Sequence, residues 1–80
     1  METTASHISI RVAGDADRST LIQLAALDSA PAPRGPVLVA DLGGEIVAAR
    51  ALGHPRTIAD PFRPTADIRE LLELRASQAA

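Results

Sequence analysis

Ile58-Ala59-Asp60-Pro61-Phe62-Arg63-Pro64-Thr65 is the stretch on which the architecture of this 80-residue chain turns. Ile58 and Ala59 read as the end of a short strand running from Arg56 to Asp60. Pro61 and Pro64 cannot donate to a sheet ladder and stop it. Thr65 is a good helix N-cap, and Ile68, Leu71 and Leu72 follow at the spacing of one buried helical stripe, so a final helix is expected through about Ser77. The chain therefore passes from strand to helix almost without a loop.

Working back towards the N-terminus, Gly53-His54-Pro55 reads as a three-residue turn and Glu45 to Leu52 as the preceding strand. Gly43-Gly44 fits a tight hairpin, since glycine takes positive φ without steric cost. Pro36 to Leu42 is apolar on both faces, which marks a central strand covered on both sides. Pro31, Pro33, Gly35 and Pro36 make a stiff connector. Gly14 or Asp15 is expected to cap a first helix, with Leu21, Leu24, Ala25 and Leu27 on its apolar side and an end near Ser29. His7 to Val12 alternates with period two, placing Ile8, Ile10 and Val12 on one strand face. The expected fold is thus α+β: a four-stranded antiparallel sheet in β-α-β-β-β-α order with a helix on each face. Residues 7–78 form a single domain behind a flexible N-terminus at 1–6, and Ala79-Ala80 is expected to fray.

With these turns, Ala40 pairs with Val47 and Arg50 with Ile58. One sheet face then carries Leu38, Ala40, Val47, Ala49, Ala51 and Ala59. The other carries Val37, Val39, Ile46, Ala48 and Ile58 with Asp41, Arg50, Arg56 and Asp60. Arg50 and Asp60 are diagonal neighbours on that face, so an ion pair of Arg50 with Asp60 or Asp41 is expected.

Composition narrows the function. A chain this short buries only about 60% of its unfolded surface. It has no cysteine, so disulfides and thiolate metal sites are excluded. Phe62 is the lone aromatic, every basic residue is Arg, and the net charge is −2. No basic face or stacking platform for nucleic acid is implied. No apolar run approaches the ~18–20 residues that span a bilayer. The polar start Met1-Glu2-Thr3-Thr4-Ala5-Ser6 lacks the pattern of a secretory signal, so a cytoplasmic location is expected. A core of Leu, Ile, Val and many Ala favours a homodimer. The expected contacts are the open Arg56 to Asp60 edge or the last helix through Leu71 and Leu74.

The order of elements resembles the amino-terminal half of acetyl-CoA-dependent N-acetyltransferases of the GNAT type. The resemblance covers roughly residues 8–77. Ile10-Arg11-Val12-Ala13 with Asp17 near the following helix start is similar to the family's opening strand and turn. Val37 to Ala48 is similar to its central hairpin, and Ile58-Ala59-Asp60-Pro61 to the end of its fourth strand. The resemblance implies a fold truncated before the fifth strand, and an acyl-CoA as the cofactor of any activity. The family's glycine-rich pyrophosphate loop has no counterpart, because residues 61–67 contain no glycine. No Tyr or Cys is present to protonate a leaving thiolate, and no family catalytic residue maps onto a matching position. The expectation is a GNAT-like self-association or partner-binding module without a cofactor. The alternative is an N-acyltransferase or acyl-CoA sensor, using acetyl-CoA, whose site a second subunit completes.

Arg63 and Thr65 are the candidate anion-binding residues: an Arg fork beside the free amides and positive dipole of a helix start. The ordinary reading of the pair is a solvated Arg next to a cap. Asp41, Glu45 and Asp60 are candidate general bases, although acids on turns are commonly structural. His7 and His54 lack convergent partners for a metal site. Asp28-Ser29 has no surrounding nucleophile motif. Leu71, Leu72 and Leu74 read as core or partner interface.

Overall fold

The computed structural model describes residues 8–53 and 56–79. Strand β1 (Ile8–Val12) leads through a single 3-10 turn (Asp15–Asp17) into helix α1 (Arg18–Leu27). Strands β2 (Val37–Leu42), β3 (Glu45–Ala51) and β4 (Thr57–Ala59) follow, then helix α2 (Ala66–Ala79). The sheet order is β1-β2-β3-β4 and every pairing is antiparallel. The expected α+β architecture and element order are observed. Among the described residues no helix is long and apolar enough to cross a membrane.

Local chemistry explains the ends of the elements. Ahead of α1, Asp17 reaches back to the Gly14 amide at 2.8 Å. α1 closes on Ser29 in the left-handed region (φ 51°), while the Ala30 amide bonds the Ala25 carbonyl at 2.9 Å. That is a helix-ending turn in which a polar residue takes the place glycine usually fills. Gly43 and Gly44 both have positive φ (61° and 94°), the geometry of a tight hairpin, and Asp41 Oδ1 accepts the Gly44 amide. β4 is shorter than expected. The Asp60 amide still bonds the Val47 carbonyl at 2.9 Å, but Pro61 ends the ladder. α2 runs to Ala79, past the expected end at Ser77.

The register corrects the expected faces. Leu42 opposes Glu45 and Asp41 opposes Ile46, as the hairpin turn dictates, but Ala40 opposes Ala48. Val47 is the extra residue of a β-bulge, and the rest of β3 is turned over relative to the unbulged pairing. Ala48 and Arg50 therefore join the α2 face, whereas Ala49 joins the α1 face with Val37 and Val39. A second one-residue shift sets Arg50 opposite Thr57 instead of Ile58. This shift returns β4 to its expected faces: Ala59 lies towards α2 and Ile58 towards α1. The turn at 53–55 itself falls partly outside the described residues.

Two cores result. Under α2, Leu38, Ala40, Val47, Ala48 and Ala59 meet Ile68, Leu72 and Ala76. Under α1, Val37, Val39, Ala49 and Ile58 meet Leu21, Leu24 and Ala25. The alanines at the sheet centre bring both helices close to the backbone. Each helix packs mainly over β2, β3 and β4; of β1, Ile10 packs against the α2 core. The side chains of Ile8 and Val12 in β1 stay exposed (37% and 58%), and so do Leu71 and Leu74 on α2 (38% and 54%).

Candidate functional site: the Asp60–Arg63 turn and its flanking clefts

Between β4 and α2 the chain turns on Asp60. Its Oδ1 accepts the Phe62 amide at 2.9 Å and its carbonyl accepts the Arg63 amide at 3.3 Å. Two consecutive amides thus point back at Asp60. A side chain in position 60 does here, with no glycine, what an Asx turn does generally. Arg63 is carried to the end of the β2–β3 hairpin, where its Nη1 donates to Glu45 Oε1 at 2.6 Å. The carbonyl of Thr65 accepts the Arg69 amide at 2.8 Å, opening α2, and Thr65 itself is buried.

Two clefts flank this turn. One, of about 530 Å³, has Asp28, Ala59, Asp60, Arg63, Thr65 and Arg69 in its wall. It lies where the outer edge of β4 meets the start of α2. The other, of about 350 Å³, is on the α1 side and is bordered by Arg11, Asp17, Asp41, Glu45, Asp60 and Arg63. The structure thus brings Arg63 and Thr65 into one cleft, and gathers Asp41, Glu45, Asp60 and Arg63 around the next. Phe62 projects beside them, 80% exposed.

The charges in the second cleft are engaged with one another. Arg11 donates from Nη1 and Nη2 to Asp17 Oδ2 and Oδ1 at 2.8 and 3.2 Å, and its Nη2 lies 3.7 Å from Asp41 Oδ2. The Arg11 bonds, and after them the Gly14 amide, hold the Asp17 carboxyl below its ordinary 3.8, down to about 2. The same hydrogen bond raises the Arg11 pKa. Asp41 and Asp60, named as candidate bases, accept backbone amides of their own turns, and Glu45 is taken up by Arg63.

The Arg50 expectation is overturned. Because the bulge moves Arg50 to the α2 face, its Nε donates to the Ala51 carbonyl at 3.3 Å. Among the described residues it forms no ion pair with Asp60 or Asp41. His7 and His54 lie outside the described residues. Among the described residues no three His, Cys, Asp or Glu side chains converge as metal ligands.

Two contacts escaped the sequence reading. The Arg11–Asp17 pair had a local signal, the Gly14-x-x-Asp17 spacing of a capping box. Asp28 had none: its Oδ2 accepts the Ala59 amide at 3.2 Å across 31 residues of chain. That bond places a carboxylate from the end of α1 on the open edge of β4.

Compared with protein-family models, with curated proteins and with solved structures, the chain matches none.

Proposed function

We propose that this protein is a self-association or partner-binding module built on a GNAT-like half-fold. The observation that carries the reading is the row of uncovered apolar side chains on the α2 side of the sheet. Ile8 and Val12 pair with Leu42 and Leu38 in β2, whose side chains belong to the α2 core, so they share that face. Glu73 meets Thr57 of β4 at 3.4 Å. Leu71, two residues earlier and about 200° away around the helix, is directed to the β1 side. Leu74 continues that stripe at i+3. Large apolar side chains gathered at one margin are the usual mark of a contact surface. Further support comes from the Asp60 turn, whose two amides and whose Arg63 already have partners within the chain. Light scattering at micromolar concentration should return about twice the chain mass, and Leu74→Glu should lower it. Turnover of an amine with acetyl-CoA would overturn the reading.

A second reading rests on the cleft at the start of α2. Arg63, Arg69 and Thr65 border it beside the β4 edge, a setting suited to a phosphate group. On this reading the chain is an acyl-CoA sensor or acyltransferase completed by a second subunit. Calorimetric titration with acetyl-CoA decides it. Micromolar binding that Arg63→Ala abolishes would establish this reading, and no heat would dismiss it.

A further inference from the structure

The sheet has two edges, and the chain treats them differently. β4 spans three residues, and one of its outward amides, that of Ala59, is already taken by Asp28. Arg56 and Pro61 stand at its ends, both residue types that discourage pairing. β1 is five residues long, without proline, glycine or bulge. Ile10 at its centre packs against the α2 core, and Ile8 and Val12 on either side stay exposed.

The ladder fixes which backbone groups of β1 are free. The Ala13 amide donates to the Val37 carbonyl of β2 at 2.8 Å. Peptide groups alternate along a strand. Arg11 and Ser9 therefore face β2 as Ala13 does, and Ile8, Ile10 and Val12 turn their N–H and C=O groups outward. Among the described residues nothing pairs with this edge, whose outward peptide groups belong to apolar, β-branched residues; its charged residue, Arg11, is held to Asp17 and Asp41.

We infer that the β1 edge pairs antiparallel with β1 of a second copy about a two-fold axis at Ile10, making one eight-stranded sheet. The inference rests on the self-association reading and names its surface. Ile10 then exchanges backbone bonds with the partner's Ile10, and Ile8 with the partner's Val12, giving about six bonds at two per hydrogen-bonded pair. On the α2 face the pairs are Ile against Ile and Ile against Val. On the other face Ser9 lies opposite the partner's Arg11 in the closer, non-hydrogen-bonded arrangement. This register is self-complementary where its neighbours are not. Centring the axis on Arg11 would set two guanidinium-bearing residues directly opposite, which is unfavourable. Centring it on Ser9 would set Val12 opposite the partner's Ser6, a polar residue and not an apolar one.

A short seam of this kind is a small interface against the usual ~800 Å² per partner. A dissociation constant on the order of micromolar is expected, which sedimentation equilibrium resolves. The test uses the exposed Ser9. Ser9→Arg places like charges opposite the partner's Arg11 twice over and should weaken the dimer roughly two- to thirtyfold. Ser9→Asp should tighten it by a similar factor. Within one chain Ser9 faces Asp41 of β2, so the two substitutions act on the fold in the opposite sense. Ser9→Arg should raise the melting temperature of the monomer while loosening the dimer, and no general destabilisation gives that pattern. Val12→Pro, at an exposed position, removes an outward amide and spares the β1–β2 ladder; it should yield a folded monomer by circular dichroism and sedimentation. Amide exchange should show Ile8, Ile10 and Val12 protected in step with protein concentration. A dimer indifferent to both Ser9 substitutions would overturn the β1 seam while leaving self-association standing. A folded monomer at every concentration would overturn the seam and leave only binding to a different partner.

Discussion

At the scale of single residues, Asp17 is the most connected side chain of the chain's opening turn. It accepts both nitrogens of the Arg11 guanidinium and the Gly14 amide. Its carboxyl is held down to about 2 against an ordinary 3.8. Between those values the unfolded chain binds a proton that the folded chain does not. Stability therefore rises with pH through this window and is lost as pH falls from about 4 towards about 2. Melting temperature measured across that range should fall less steeply in Asp17→Asn than in the parent; parallel curves would remove Asp17 from this role. Asp28 tests a long-range contact. Replacing it with Ala leaves the Ala59 amide without its charged acceptor and should cost about 1–2 kcal/mol in urea denaturation. An unchanged midpoint would mean that water serves the amide equally well.

At the scale of elements, the hairpin and α2 carry separate predictions. Gly44 sits at φ 94° with open space around the position a Cβ would take. Any cost of Gly44→Ala is then backbone strain alone, about 1–2 kcal/mol. Pro at the same position would in addition remove the amide that Asp41 accepts, so it should cost more. Leu72 is fully buried between α2 and the alanines of the sheet. Leu72→Ala should cost about 2–5 kcal/mol, because flat Ala surfaces on β2 and β3 cannot collapse into the void. Leu71→Ala, on the exposed side of the same helix, should cost far less in dilute solution. Chemical denaturation of the two variants side by side checks whether the buried stripe is placed correctly. Equal losses would reject that placement.

At the scale of the whole molecule, the sheet is wider than either helix. Apolar area is left at β1 and on the flank of α2, while the β4 end carries Asp28, Asp60, Arg63 and Arg69 around its clefts. The exposed apolar side chains of β1 and α2 thus lie away from β4, on the sheet face opposite the Arg11–Asp17–Asp41 cluster, and Phe62 is the exposed apolar group at the β4 end. If the side chains of β1 and α2 join two copies, folding and association are linked, and the melting temperature must rise with protein concentration. Scans over a hundredfold dilution should show a shift of several degrees; a constant value would show that the 80-residue chain is stable by its own two cores.

The sequence by itself determined the element order and the type of nearly every boundary. Its local signals were strong: Gly43-Gly44, the prolines at 61 and 64, the Thr65 cap, and the alternation of β1. These act over a few residues, so they are legible without knowing what lies opposite. The sequence also placed Arg63 beside Thr65, because only Pro64 stands between them whatever the tertiary fold. What it left undecided was register. Neither Ala40 nor Val47 announces a bulge, and a one-residue slip moves the later side chains of β3 to the other face. Arg50 consequently lost its expected acidic partner. The bulge and the Asp28–Ala59 bond depend on how two helices settle on an alanine-lined sheet. Those are long-range packing outcomes, set by distances between elements and not by the residues of any one of them.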